Sequence, residues 1–221
     1  MLFSAENVKA NIRNRDGKRV FYLASGDTLS PSARDFLTRE RIEILPAQQA
    51  KPEEYRLENG GFIREKPENY THLRSDILVP KTHPVIAFRG CMDTLQAALL
   101  QAQLICNRQR PALEEILALA RNVIRWDVLQ EPAHMDKLCG LTQQQIREHS
   151  HFPQKFYGVP HFMPQYTDGE EILQLNICRC AARTAELAAA HAFGESRQDI
   201  QCILNRMSSM LYILMIRAKK T

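Results

Sequence analysis

From His83 to the end of the chain one apolar period is kept almost without a break, and it is the period of an α-helix. Val85, Phe88, Met92, Leu95, Leu99 and Leu100 recur three and four residues apart, which places them along one side of a helix. A first helix is therefore read from His83 to about Asn107. Pro111 opens a second, running to about Gln130, and Thr142 with Gln145 three residues later has the form of a capping box at the start of a third. Asp168 is read as the cap of a fourth helix to about Phe193, and Ser196 with Asp199 as the cap of a fifth. The fifth ends on Arg217, Lys219 and Lys220, cations that suit the negative end of a helix dipole. Five helices in succession predict a mostly α chain folded as an antiparallel bundle.

The residues ahead of the bundle follow a different pattern. Val20-Phe21-Tyr22-Leu23 reads as a strand, Ser30-Pro31 as the opening of a helix with proline at its first position, and Ile42-Glu43-Ile44-Leu45 as a second strand. Residues 1–45 are thus expected to form a small β-α-β module, residues 46–70 (with Pro46, Pro52, Gly60, Gly61 and Pro67) a linker, and residues 71–221 the helical domain. Within that domain, residues 152–167 interleave Pro153, Gly158, Pro160 and Pro164 with Phe152, Phe156, Tyr157, Phe162 and Tyr166. An apolar loop is expected there, of the kind that covers something.

A formal net charge of +4, from 29 basic and 25 acidic residues, is no footprint for nucleic acid, and nothing in the basic stretch Arg13, Arg15, Lys18, Arg19 resembles a recognition helix. No apolar run is long enough to cross a bilayer, and Met1-Leu2-Phe3-Ser4-Ala5-Glu6 is not a basic leader followed by an apolar stretch. A cytoplasmic protein is expected. The six cysteines fall mostly inside apolar helical stretches, as reduced thiols do. Cys178 and Cys180, two apart on one helix, point to different faces and do not make a chelating pair.

Two helix faces carry candidate chemistry. Arg179, Arg183 and Glu186 line one side of the fourth helix, either as a solvated face with an Arg183–Glu186 pair or as a polyphosphate clamp. Asn205 and Ser209 share a side of the otherwise apolar fifth helix, either bonding helix to helix or selecting a nucleotide.

The stretch Thr71-His72-Leu73, Val79-Pro80-Lys81, Arg89-Gly90 and Asp93 resembles the start of the adenosyltransferase domain in the ethanolamine- and propanediol-utilisation families. The resemblance continues through Asp127 with Glu131-Pro132, Arg179-x-x-x-Arg183-x-x-Glu186 and Leu204-Asn205-Arg206-Met207-Ser208. It thus covers residues 71 to about 216 in order, and Leu29-Ser30-Pro31-Ser32-Ala33-Arg34 is similar to the N-terminal extension of the ethanolamine branch.

The resemblance implies an ATP:cob(I)alamin adenosyltransferase, a homotrimer with ATP held between neighbouring subunits. It assigns Thr71, Lys81, Arg179, Arg183, Glu186 and Asn205 to ATP, which is bound with Mg2+, and pairs Asp93 with Arg179. Arg179, Arg183 and Asp93 are the residues expected to serve the reaction. It also implies a corrinoid substrate whose lower ligand is displaced by apolar side chains. Phe162, Phe156 and Tyr157 are the candidates, with Phe162 preferred because it lies just before Pro164 and the fourth helix. Ethanolamine ammonia-lyase and a corrinoid reductase are the implied partners, and association with a bacterial microcompartment is consistent with them. A non-catalytic corrinoid or nucleotide carrier on the same bundle is the alternative.

Three departures stand out. The enteric ethanolamine branch has a Cys-Cys-x-x-Cys cluster ahead of its Thr-His-Leu segment, whereas no cysteine here precedes Cys91, so no protein-bound zinc or iron is expected. The propanediol branch has a glycine-rich phosphate loop where this chain has Thr71-His72-Leu73-Arg74-Ser75-Asp76. Finally, Arg183 is followed by Thr184 rather than by a second arginine.

Overall fold

The computed structural model describes residues 2–15, 17–47 and 55–220. Pro52 of the expected linker lies outside them. The chain divides into two compact units, Met1–Arg56 with Gly61–Glu65, and Leu57–Gly60 with Lys66–Thr221.

In the first unit the strand, helix and strand expected from sequence are joined by further short elements. The order is β1 (Leu2–Phe3), α1 (Ala5–Ala10), β2 (Arg13–Arg15), β3 (Lys18–Leu23), β4 (Thr28–Leu29), α2 (Pro31–Arg39) and β5 (Glu43–Pro46). Strand β3 lies between antiparallel β2 and parallel β5, with Val20 opposite Glu43 and Tyr22 opposite Leu45. Ser30 caps α2, its hydroxyl accepting from the Ala33 N–H at 3.2 Å, and Pro31 follows at the first helical position. Val8, Phe21, Leu29, Ala33, Leu37 and Ile42 form the core. Further along, β6 (Tyr55–Leu57) and β7 (Phe62–Ile63) pair antiparallel.

The second unit begins with an antiparallel hairpin, β8 (Tyr70–Arg74) and β9 (Ile77–Pro80), in which Thr71 stands opposite Val79. The bundle follows as α3 (Pro84–Ile105), α4 (Arg110–Leu129), a short hairpin of β10 (Lys137–Leu138) and β11 (Leu141–Thr142), α5 (Gln143–His151), α6 (Pro153–Tyr157), α7 (Glu170–Phe193) and α8 (Gln198–Lys219). Neighbours run antiparallel. The rings of Phe88 and Phe193 meet edge to face at 5.1 Å, while Gln174 at the other end of α7 reaches the Ala98 carbonyl. Helix α8 packs against α7 and α5 and buries residues on nearly every side, as a central helix must.

Thr142 and Gln145 do form the reciprocal capping box of α5. Two other expected caps do not form. Asp168 lies in a single 3-10 turn, Tyr166–Asp168, and Gly169 at φ +87° separates it from α7. Its carboxylate instead accepts from the Gln165 N–H and pairs with Lys219, and bonding to Lys219, then to that amide, holds its pKa below the usual carboxylate range. Asp199 accepts from the Ala133 N–H at 2.7 Å and pairs with Arg197. Burial raises its pKa, but the bonds from Arg197, Ala133 and Ile200 outweigh burial and the net shift is downward. Ser196 donates to the Phe193 carbonyl.

Leu100 also departs from the expected face. It is 47% exposed, and with Leu104 at 79%, Ile177 at 52% and Leu187 at 70% it leaves large apolar side chains open on α3 and α7. None of the six cysteines is in a disulfide. Cys178 is buried and Cys180 exposed, as their spacing requires, and burial pushes the Cys178 thiol up to about 12. Cys202 is exposed on its helix. No helix among the described residues is long and apolar enough to cross a membrane.

Candidate active site

Arg179, Arg183 and Glu186 occupy successive turns of α7 on the side that turns from solvent toward α8. Arg183 is exposed, and its side chain has no partner among the described residues. Arg179 is half-buried, its Nε donating to Asn176 Oδ1 at 3.0 Å. The Arg183–Glu186 pair does not form. Glu186 instead accepts from the Asn205 amide on α8 at 2.8 Å, and Arg206 donates to the Asn205 oxygen at 2.7 Å. An amide held between an acceptor and a cation has only one workable orientation, because the carboxylate cannot donate and the guanidinium cannot accept. Sequence singled out Asn205 and Glu186, whereas Arg206 stood within the quoted Leu204–Ser208 resemblance and was given no role.

Arg206 also borders a cavity of about 620 Å³ between α5 and α8, together with Arg147, Glu148, His151 and Phe152. A second cavity, of about 270 Å³, lies on the other side of α8. It is lined by His161, Phe162, Met163 and Pro164 of the aromatic loop, by Tyr212 and Met215, and by Arg179. A guanidinium of the phosphate-clamp pattern and the preferred aromatic residue thus face one space. Tyr212 and His161 belong to this wall and had not been picked out from sequence.

Phe156 and Tyr157 go elsewhere. They sit on the one-turn helix α6 inside the expected loop, where the Phe156 ring stacks on His149 at 3.9 Å and the Tyr157 hydroxyl lies 2.8 Å from His149 Nδ1. Arg217 lies over the Tyr157 ring. These contacts tie α6 to α5 and α8, and neither ring lines the cavity of Phe162.

Thr71 is a strand residue on β8, and Lys81, just past β9, is exposed and pairs with Glu68 at 3.3 Å. Asp93 on α3 is exposed and has no side-chain partner among the described residues, so the expected Asp93–Arg179 pair is not made within the chain. Among the described residues no group of three or more His, Cys, Asp or Glu side chains is gathered as a metal site.

The hairpin that carries Thr71 is tied to the bundle by Arg89. Its Nε and Nη2 each approach Asp127 Oδ2 at 2.8 Å, and its Nη1 donates to the Leu73 carbonyl at 2.9 Å. Leu73, Val79 and Val85 bury the same junction. Both Arg89 and Asp127 belong to the quoted resemblance, and a carboxylate among the buried positions of α4, one turn beyond Val123, could have been recognised as needing a cation.

The family model for cobalamin adenosyltransferase matches residues 62–218. The corrinoid adenosyltransferase EutT of Salmonella typhimurium is 27% identical over 238 residues, covering 95% of this chain and 89% of that protein. The corrinoid adenosyltransferase EutT of Escherichia coli K12 is 31% identical over 160 residues, covering 70% of this chain and 60% of that protein. No solved structure matches the chain. With that family model matching residues 62–218, which take in the β8–β9 hairpin, α7 and α8, the chain belongs to the cobalamin adenosyltransferase family.

Proposed function

We propose that this enzyme transfers the 5′-deoxyadenosyl group of ATP to the cobalt of a reduced corrinoid and releases triphosphate, in the service of ethanolamine utilisation. The electron pair of cobalt(I) attacks C5′, the Co–C bond forms, and the C5′–O bond breaks with its electrons leaving on triphosphate. No protein nucleophile is needed. The protein aligns the two substrates and stabilises charge on the leaving group, for which Arg179, Arg183, Lys81 and the Mg2+ that accompanies ATP are suited. Glu186 and Asn205, already bonded to each other, orient the nucleotide. The observation that carries this reading is the cavity walled by both Arg179 and Phe162.

The proposed assembly is a homotrimer with ATP between subunits. The open apolar side chains of α3 and α7 support it, since Leu104 and Leu187 are largely exposed in a single chain. The unpartnered Asp93 and Arg183 then meet their counterparts across an interface.

The test is anaerobic incubation with ATP and prereduced cob(I)alamin, following corrinoid absorbance. A spectrum unchanged over many equivalents of ATP would exclude the activity. Phe162→Ala is expected to slow turnover from cob(II)alamin with a one-electron reductant by about tenfold or more, with a much smaller loss from prereduced cob(I)alamin; each tenfold corresponds to ~1.4 kcal/mol of barrier. Equal losses in the two assays would remove the ligand-displacing role from Phe162. Metal analysis of the purified enzyme is expected to find zinc and iron well below one ion per chain, and a tightly held stoichiometric ion would contradict that expectation.

A further inference from the structure

The segment bearing Phe162 is bonded to α8 through one hydroxyl. The Phe162 N–H donates to Tyr212 Oη at 3.3 Å, and the same oxygen lies 3.1 Å from His161 Nδ1. His161 Nε2 is 3.0 Å from the His151 carbonyl, which can only accept. Nε2 therefore carries the proton and, in the neutral ring, Nδ1 accepts from the tyrosine hydroxyl. The bonds run in a single direction, from the Phe162 amide to Tyr212, from Tyr212 to His161, and from His161 to the His151 carbonyl. The His161 and Tyr212 rings lie nearly parallel, 5.8 Å apart at 9°, and the Phe162 ring lies 6.0 Å from that of Tyr212. A separate tie holds the far end of the loop, where Lys219 pairs with Asp168 and sets its ammonium 4.5 Å from the Phe162 ring centroid.

We infer that Tyr212 is a positioning residue for the corrinoid side of the reaction, its hydroxyl fixing Phe162 on the cavity wall that Arg179 shares. The inference rests on the proposed role of Phe162. A ring that must replace a corrinoid ligand acts only if it is held in place beforehand, because every orientation lost on binding lowers the fraction of productive complexes. Tyr212 supplies that hold through the backbone, leaving the Phe162 side chain directed into the cavity. A role in packing alone is separable: phenylalanine at this position keeps the ring beside those of His161 and Phe162 and removes only the oxygen. The two groups so released lie at a partly exposed surface where water takes them, and Lys219 still holds Asp168, so the fold is retained.

The experiment uses full-length Tyr212→Phe and Phe162→Ala beside the unaltered enzyme, each with ATP and cob(II)alamin. The lower-ligand state of the cobalt is read from the electron paramagnetic resonance spectrum, in which nitrogen hyperfine structure vanishes when the ligand is lost. Tyr212→Phe is expected to lower the ligand-free fraction and the rate from cob(II)alamin on the order of fivefold, the size of one lost hydrogen bond. The rate from prereduced cob(I)alamin and the KM for ATP are expected to change by about twofold or less. His161→Phe, which removes the acceptor of the same hydroxyl, is expected to give the same signature in weaker form, and it stands in should Tyr212→Phe fold poorly. A ligand-free signal at the unaltered level in both Tyr212→Phe and His161→Phe, beside a lost one in Phe162→Ala, overturns the inference and leaves the role of Phe162 intact. An unaltered signal in Phe162→Ala overturns that role, and the inference with it.

Discussion

Arg183→Ala is expected to lower kcat/KM for ATP by about 10²- to 10³-fold, the usual effect of removing one donor from a site where charge develops in the transition state. Its melting temperature is expected to stay within about 2 °C of the unaltered enzyme. The contrast follows from the surroundings of the side chain. Arg183 is exposed and has no partner among the described residues, and it lies one turn from Arg179, a like charge it repels weakly. Nothing in the fold depends on it. A cation so placed has work to do only when an anion lies between the two guanidinium groups, and triphosphate is most strongly anionic as it leaves. The loss should therefore fall on kcat as well as on KM. Arg183→Lys keeps the charge and loses the planar fork, so an intermediate loss is expected. Steady-state kinetics with prereduced cob(I)alamin over a range of ATP concentrations measures both parameters. If Arg183→Ala returns both near their unaltered values, α7 carries a solvated face and no clamp.

The long helices were legible because their buried positions repeat. Phe88, Met92, Leu95 and Leu99 are all fully buried on α3, as their spacing requires. Leu100, next in the apolar series, is exposed, because a period assigns a residue to a stripe without saying whether the stripe meets its own chain or another surface. Caps were legible where the bonds are local. Thr142 and Gln145 bond to each other, whereas the carboxylates of Asp168 and Asp199 are taken by Lys219 and Ala133, 51 and 66 residues away. The short helices α1 and α6 span fewer than two turns and show no period. The candidate site divides in the same way. Arg179, Arg183 and Glu186 were visible as one helix face, but the bond from Asn205 to Glu186 and the cavity shared by Phe162 and Arg179 depend on how α7, α8 and the loop pack. Phe156 and Tyr157 could not be told from Phe162 by composition, since aromatic side chains in a loop are equally suited to stacking on His149 or to lining a cavity.

The largest effect on stability is expected from Asp127→Ala. Asp127 is 2% exposed and Arg89 18%, and removing the carboxylate strands a guanidinium that keeps, among the described residues, only the Leu73 carbonyl as partner. Breaking a buried pair from one side costs about 3 to 5 kcal/mol, and the slight exposure of Arg89 places this one near ~3. For a unit of this size that lowers the melting temperature by on the order of 10 °C. The pair does more than hold two helices, because the same guanidinium anchors β8, the strand of Thr71, whose hairpin leads directly to Lys81. The double variant Arg89→Met, Asp127→Leu separates the two roles. Apolar side chains of similar volume should recover much of the stability, as they do when both partners of a buried ion pair are replaced, yet the Leu73 carbonyl has lost its donor and the hairpin its anchor. A recovered melting temperature with a KM for ATP still raised by about tenfold would mean that the pair positions the phosphate side of the site; tenfold is the effect of ~1.4 kcal/mol. Recovery of stability and KM together would mean that burial of Leu73, Val79 and Val85 holds the hairpin by itself.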